Sequence, residues 1–196
     1  MTTLPITPSQ TVGPFFAYGL TAHQYGYDFN SLVEGELVNP IVHSAELIYV
    51  SGQILDGNGQ PVSDAMIECW QADGQGQYNT QPIAYPTDQS SFIGFGRLGT
   101  GTTRTNQFTF TTIKPGATAP DSAPHINVIL FLRGSLRTLY TRLYFADEPE
   151  ANEQDALLRS VEPERRTTLI ATKSKDGHYQ FNIRLQGSDE TVFFDL

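Results

Sequence analysis

Apolar and polar residues alternate along several short stretches of the chain, as they do in strands with one buried face. A longer apolar run at 128–132 follows Asn127 and predicts a buried strand, and a second extended stretch begins after the break at Arg133-Gly134. The predicted strands are 47–55, 65–71, 107–113, 128–132, 136–145, 167–172 and 179–185, with a last extended piece at 191–194.

Turn residues separate these stretches. The run DGNG at 56–59 predicts a β-hairpin, because Asn and Gly tolerate a positive φ. DGQG at 73–76 and KDG at 175–177 predict further turns. The segment 79–105 is rich in Gly, Ser, Thr and Pro and predicts a loop, with Phe92 and Phe95 packed beneath it.

Helical spacing is clear in one segment, 148–161, which has Pro149 near its start and Pro163 after its end and carries acidic residues early. The first 44 residues predict irregular structure, punctuated by Pro5, Pro8 and Pro14. We interpret them as an arm whose aromatic residues anchor on a neighbouring chain, or else as a loop packed on its own domain.

Short strands with turns between them and one short helix indicate an all-β protein. We predict a β-sandwich of two mainly antiparallel sheets with an irregular N-terminal arm. The chain is expected to form a single domain over 1–196, with residues 1–45 as an arm packing on a partner chain and 46–196 as the sandwich core.

Composition narrows the function. The net charge of −9 argues against nucleic-acid binding, which needs a basic patch. Charged residues make up only 17% of the chain, so either partners cover part of the surface or the protein is a monomer with a polar, uncharged surface. The single cysteine, Cys69, excludes an internal disulfide and predicts a buried thiol. With no visible signal peptide and no run of membrane-spanning length, we expect a cytoplasmic protein.

The best candidate site lies where the central strand begins, at His125 and Asn127. Residues two apart on a strand share a face, so both side chains are expected to point the same way. Asn127 is a weak ligand for a transition metal, because its amide oxygen is neutral. Taken from the residues alone, His125 is a structural histidine rather than a ligand, and the chain shows neither a nucleophile elbow nor a phosphate-binding glycine loop.

Several motifs, in this order and at these intervals, resemble the intradiol ring-cleavage dioxygenases. They are CWQAD at 69–73, GQY at 76–78, IKPG at 113–116, PHIN at 124–127 and RLYF at 142–145. The beginning, TPSQTVGPF at 7–15, and the end, ETVFFD at 190–195, are similar more narrowly to the non-metal-binding chain of a two-chain member of that family.

The resemblance implies that catalytic members hold a non-haem ferric ion with two tyrosines and two histidines. Tyr78 and His125 match one ligand of each kind. Thr118 and Asn127 stand where the second tyrosine and the second histidine would be. The resemblance therefore predicts that this chain binds no metal and that its own pocket is vestigial.

The same resemblance implies a partner, a homologous beta chain that binds Fe(3+), in a hetero-oligomer of alpha-beta pairs. Thr11, Gly13 and Pro14 of the arm, together with Arg133, are expected to line the substrate pocket of that beta chain. For Arg133 the alternative is an ordinary ion pair between subunits.

The implied activity is cleavage of 3,4-dihydroxybenzoate with O2 to 3-carboxy-cis,cis-muconate, a step of aromatic catabolism in the beta-ketoadipate pathway. Two alternatives remain. One is a non-catalytic binding module, since DGNGQPV at 56–62 also resembles the hairpins of transthyretin-like domains. The other, a self-sufficient metalloenzyme, is disfavoured by Thr118 and Asn127.

Overall fold

The computed structural model describes residues 6–39, 46–81 and 92–195 of the 196-residue chain. Strands dominate the described part. In chain order they are β1 Leu47–Leu55, β2 Met66–Gln71, β3 Phe95–Gly99, β4 Gln107–Ile113, β5 His125–Phe131, β6 Leu139–Phe145, β7 Ile170–Lys175, β8 His178–Gln180 and β9 Ile183–Arg184.

The strands form two layers that share one strand. The order β3-β2-β5-β6 makes one layer, and β8-β1-β4 makes the other, with β9 paired to β1. Between them, β7 pairs parallel with β6 and antiparallel with β8. Most pairs are antiparallel, and the exceptions are β6 with β7 and β1 with β8 and β9. The all-β, mainly antiparallel sandwich predicted from the sequence is confirmed.

A single large core fills the space between the layers. Alternate residues of β5 point into it, because side chains on a strand alternate between its two faces. The other layer contributes aromatic rings from β4. Cys69 of β2 is 2% exposed, and burial raises the pKa of its thiol, so the predicted buried thiol is confirmed. Core members include Ile67, Ile126, Val128, Leu130, Val50, Phe108 and Phe110.

The predicted hairpin at 56–59 is present but short, and it does not pair β1 with β2. The turn itself is present: the Asp56 carboxylate accepts hydrogen bonds from the backbone N–H groups of Asn58 and Gln60, and Gly59 has a φ of +73°. Past the turn, Leu55 forms an antiparallel bridge with Pro61 and Val62 N donates to the Ile54 carbonyl, but β2 itself belongs to the other layer. The turn therefore leads the chain across the sandwich instead of back along the same sheet.

One strand falls within the segment that the sequence predicted as a loop. β3 pairs antiparallel with β2, although glycines at both 96 and 99 weaken its intrinsic strand preference. Gly96 has a packing reason, because a methyl group there would meet the Leu37 side chain and the Glu34 carbonyl oxygen. The part of the predicted loop at 82–91 lies outside the described residues.

The helices are short. α1 Phe16–Leu20 lies in the N-terminal segment, and α2 Pro149–Gln154 and α3 Ala156–Ser160 occupy the segment predicted as one helix. That prediction is wrong because Asp155, with an extended ψ of 122°, separates the two and caps α3 by accepting a hydrogen bond from Leu158 N. Short 3-10 turns occur at His23–Tyr25 and Arg166–Leu169. Among the described residues, no helix is long and apolar enough to span a membrane.

Residues 34–38 run between the two end strands of the sandwich. The Glu34 carbonyl accepts a hydrogen bond from Arg97 N of β3, and the Gly35 carbonyl accepts one from Thr111 N of β4. Leu37 is fully buried in the core. Part of the N-terminal region thus packs on its own domain. Residues 1–5 and 40–45 lie outside the described residues, and packing of the arm on a partner chain stays a prediction.

Candidate functional site

The candidate site is built on the outer face of the β5-β6 pair. His125 and Asn127 lie on the same face of β5, opposite Tyr144 and Arg142 of β6 in the strand register. His125 is almost completely buried, whereas Asn127 is half-buried. The shared face predicted for His125 and Asn127 is therefore present, and β6 adds the Arg142 guanidinium and the Tyr144 phenol beside it.

Tyr78 reaches this face from the turn that follows β2. The Asp73 carboxylate fixes the turn by accepting hydrogen bonds from the backbone N–H groups of Gln75 and Gln77. The Tyr78 ring then packs against Trp70, with 4.4 Å between ring centroids. The Asn127 amide donates to the Tyr78 hydroxyl over 2.9 Å. Tyr78, at an expected ligand position, is thus hydrogen-bonded to Asn127, which stands in place of the second expected histidine.

Thr118 lies beside the Tyr78 turn, but among the described residues its side chain is not hydrogen-bonded to Tyr78, His125 or Asn127. Gly76 has a φ of +79°, and a methyl group on it would overlap the Ala117 carbonyl, so the turn and the 117–118 loop are in close contact. The Thr118 side chain is exposed and its hydroxyl pairs with that of Ser122 at 3.2 Å. The structure thus brings three of the four expected ligand positions together and leaves the fourth at the rim.

His125 is held as a neutral imidazole. Its Nδ1–H donates to the Ala123 carbonyl oxygen over 2.8 Å, since a carbonyl can only accept. Burial lowers the pKa of His125, and the nearby positive charge of Arg142 lowers it further. The buried Nε2 has no hydrogen-bond partner within the described part of the chain. His125 therefore keeps the form of a metal ligand, with a free lone pair and a fixed tautomer.

Three residues of the site were not identified from the sequence: Arg142, Tyr144 and Asp155. Arg142 donates from Nε to the Asn127 amide oxygen over 3.2 Å and makes a long contact, 3.5 Å from Nη1, with the Tyr144 hydroxyl. The Tyr144 hydroxyl donates to Asp155 over 3.0 Å, and burial raises the pKa of this phenol. The RLYF motif contained two of these residues, but its spacing alone gave them no role.

The donor set does not fit a ferric ion. Tyr78 and His125 provide one phenol and one imidazole, whereas Asn127 offers a neutral amide that is already hydrogen-bonded and Thr118 faces away. Among the described residues, no group of three or more His, Cys, Asp or Glu side chains is placed to hold a metal. Ferric iron prefers anionic and imidazole donors, which this face provides only in part.

The four residues predicted for a partner's substrate pocket form a separate surface, the arm surface, made of Thr11, Gly13, Pro14 and Arg133. The Thr11 hydroxyl accepts a hydrogen bond from Gly134 N over 2.7 Å and approaches the Leu132 carbonyl at 3.3 Å, so the arm is tied to both sides of Arg133.

A carboxylate completes the arm surface. Asp64 lies 3.3 Å from Nε of the exposed Arg133, and it lines the same crevice as Gly13 and Pro14. Next to them, the Phe15 side chain is 76% exposed. The structure therefore gathers all four predicted pocket residues on one side of the molecule, with an exposed aromatic ring beside them.

A family model described as "Dioxygenase" matches residues 35–187. The chain is 48% identical over 202 aligned residues to the protocatechuate 3,4-dioxygenase alpha chain of Burkholderia cepacia, with all of both chains covered. The chain belongs to the intradiol dioxygenase family. The family resemblance found in the sequence is thereby confirmed.

Other dioxygenases extend the comparison. The beta chain of protocatechuate 3,4-dioxygenase from Burkholderia cepacia is 34% identical, over 74% of this chain and 67% of that protein. The dioxygenase domain of a carbohydrate-binding fusion from Streptomyces sp. SirexAA-E superimposes with a TM-score of 0.60 at 25% identity, covering 82% of this chain and 89% of that domain. An intradiol ring-cleavage dioxygenase from Tetranychus urticae shares the fold, with a TM-score of 0.58 over 91% and 94% of the two chains.

Proposed function

We propose that this chain is the alpha subunit of a protocatechuate 3,4-dioxygenase and acts together with an iron-bearing beta chain. The complex cleaves 3,4-dihydroxybenzoate with O2 to 3-carboxy-cis,cis-muconate. Full-length similarity to an alpha chain supports the subunit assignment, and the shorter match to a beta chain supports a homologous partner. The Fe(3+) of the beta chain supplies the Lewis-acid chemistry of ring cleavage.

The observation that carries this proposal is the hydrogen bond between Asn127 and Tyr78. At the place where a catalytic chain needs a second imidazole, this chain has an amide whose nitrogen donates to the remaining phenol. Tyr78, which accepts this hydrogen bond, and His125 provide only half of the ligands that hold ferric iron in catalytic members of the family. The chain therefore contributes to catalysis through its surface, at a site that the beta chain completes.

The arm surface is suited to that contribution. Arg133 projects an exposed guanidinium, and such a group binds a carboxylate through two parallel hydrogen bonds. The carboxylate of 3,4-dihydroxybenzoate provides the matching anion. Gly13 allows a close approach of the arm backbone, and Pro14 restricts its conformation. Under this proposal Thr11, Gly13 and Pro14 form part of the pocket wall and Arg133 attracts the substrate's negative charge.

The test is to purify the chain alone and together with a beta chain. We expect the isolated chain to be colourless and free of stoichiometric iron. The complex is expected to show the visible absorption of iron-bound tyrosinate and to consume O2 when 3,4-dihydroxybenzoate is added. Stoichiometric iron or activity in the isolated chain would contradict the proposal.

The binding-module alternative predicts a different outcome, in which the chain forms no stable complex with any beta chain. Size-exclusion chromatography of the mixture, with each chain alone as the control, distinguishes the two. Membership of the intradiol dioxygenase family favours the dioxygenase subunit over a transthyretin-like module.

We also propose a cytoplasmic location. The single cysteine, Cys69, is a buried core thiol, which suits a reducing compartment and needs no disulfide partner. Cell fractionation followed by detection of the chain tests this proposal. Recovery of the chain in a periplasmic or secreted fraction would contradict it.

A further inference from the structure

We propose that Arg142 excludes metal ions from the vestigial site of this chain. Its guanidinium supplies the positive charge of the site and holds the remaining ligand positions in a hydrogen-bonded arrangement. Restoring a ligand at position 127 is then insufficient for metal binding as long as Arg142 is present. The proposal concerns this chain alone and does not require the proposed partner.

The position of Arg142 is the first support. It lies directly opposite Asn127 in the β5-β6 register, and its Nε donates to the Asn127 amide oxygen over 3.2 Å. The amide nitrogen of Asn127 in turn donates to the Tyr78 hydroxyl. Both polar ends of the amide are therefore engaged, one by a cation and the other by the phenol that a metal would bind.

The charge of Arg142 is the second support. Its side chain is a guanidinium, which is a permanent cation in proteins. Arg142 and Tyr144 lie on one face of β6, directly beside His125 and Asn127 of β5. A metal ion bound between Tyr78 and His125 would be repelled by this charge, because the partial burial of Arg142 reduces its screening by water.

The nearest buried carboxylate of the site, Asp155, offsets this repulsion only in part, because it lies behind Tyr144. The oxygens of Asp155 accept hydrogen bonds from Tyr144 and from the backbone N–H groups of Leu158 and Ala123. Tyr144 stands between Asp155 and Arg142. These hydrogen bonds hold the Asp155 carboxylate behind the site, where it links β6, α3 and the loop before β5.

His125 shows that ligand loss is only part of the difference. Its Nε2 is buried and has no partner within the described residues, while its Nδ1–H is fixed by the Ala123 carbonyl. This is the arrangement of a prepared metal ligand. Loss of two ligands has left an imidazole and a phenol in place, and Arg142 adds a positive charge beside them that acts against any cation they could still bind.

The experiment compares Asn127→His with the double variant Asn127→His/Arg142→Gln, using Co2+ as the probe. Tyr78, His125 and the introduced imidazole would give three protein ligands, enough for a divalent ion with water in the remaining position. Co2+ binding is measured by visible absorption titration and by metal analysis after dialysis. We expect the double variant to bind one Co2+ about tenfold or more tightly than Asn127→His, because the competing charge has been removed.

Two matched variants separate charge from other effects. Asn127→His/Arg142→Lys keeps the charge and is expected to bind as weakly as Asn127→His, whereas Asn127→His/Arg104→Gln removes an exposed arginine elsewhere and is expected to change nothing. Equal affinity with and without Arg142, or no binding by the folded double variant, would overturn the proposal. Circular dichroism checks folding, and if the glutamine variant unfolds, Arg142→Met gives the same comparison with an apolar stem.

Discussion

The Tyr144 hydroxyl donates a 3.0 Å hydrogen bond to the Asp155 carboxylate, which connects β6 to the first turn of α3. The same carboxylate accepts from Leu158 N at 2.7 Å and from Ala123 N at 2.9 Å. Because Ala123 also accepts from His125, one buried acid positions the helix, the loop before β5 and the imidazole of the candidate site. Its three donors compensate for the cost of burying a charge.

Asp155→Ala is expected to lower the free energy of unfolding by about 3 kcal/mol, because it leaves buried donors unsatisfied and removes a helix cap. Urea denaturation followed by circular dichroism measures the change. Glu153→Ala, at an exposed position of α2, is the control and should change stability little. Equal stability of the two variants would show that Asp155 does not hold these elements together.

Asp147 predicts a dependence of stability on acidic pH. Desolvation acts to raise the pKa of Asp147, but hydrogen bonds from Tyr179 at 2.9 Å and from Lys114 and Lys173 at 3.1 and 3.2 Å outweigh it, so the pKa lies below 3.8. A lowered carboxyl pKa contributes stability that is fully present above 3.8 and is lost as the pH falls through the folded-state value.

Asp147→Asn is therefore expected to destabilise the protein at neutral pH and to lose this effect in acid. The measurement is the difference in urea midpoint between the parent chain and the variant, from about pH 7 down to about pH 3. Asp121→Asn, at an exposed position, serves as the control. A difference that stayed constant over this range would show that packing, and not ionisation, accounts for the loss.

Arg133→Ala is expected to raise the KM of the reconstituted complex for 3,4-dihydroxybenzoate by about tenfold, with kcat and iron content unchanged, because a charge-assisted contact to the substrate is lost. Steady-state O2 uptake and metal analysis supply the two measurements. Arg137→Ala, in the same loop and exposed, is the matched control. Unchanged kinetics in Arg133→Ala would show that Arg133 does not act on the substrate and has a structural role in its ion pair with Asp64.

Thr11→Val tests the attachment of the arm. The change preserves the shape of the side chain but removes the hydroxyl that accepts from Gly134 N and approaches the Leu132 carbonyl. We expect the KM to rise about threefold with little change in unfolding free energy, since one partly exposed hydrogen bond is worth about 1 kcal/mol. Thr11→Ser restores the hydroxyl and should restore the KM. Failure of serine to do so would point to the methyl group instead.

Most of the sandwich could be predicted because its strands carry their own pattern. β1, β4 and the apolar part of β5 alternate clearly or are continuously apolar, and the sequence located all three. β3 could not be found in this way, because its two glycines serve close packing against the N-terminal segment. The break at Asp155 depends on donors from Ala123 and Tyr144, which are distant in sequence.

The candidate site, too, could be predicted from the sequence only in part. The positions of Tyr78, His125, Asn127 and Thr118 came from a family resemblance, and spacing alone gave only the shared face of His125 and Asn127. Arg142 was out of reach, because its importance arises from the strand register that sets it opposite Asn127. Cross-strand pairing has no local pattern that the sequence would reveal.

The course of residues 34–38 between β3 and β4 has a consequence for self-association. An uncovered end strand offers a row of free backbone N–H and C=O groups to a strand of another molecule, which is a common route to aggregation. Here the carbonyl groups of Glu34 and Gly35 accept hydrogen bonds from Arg97 N of β3 and Thr111 N of β4, the two end strands. The same N-terminal region that bears the arm surface thus protects the sandwich against fibre-like stacking of neighbouring copies.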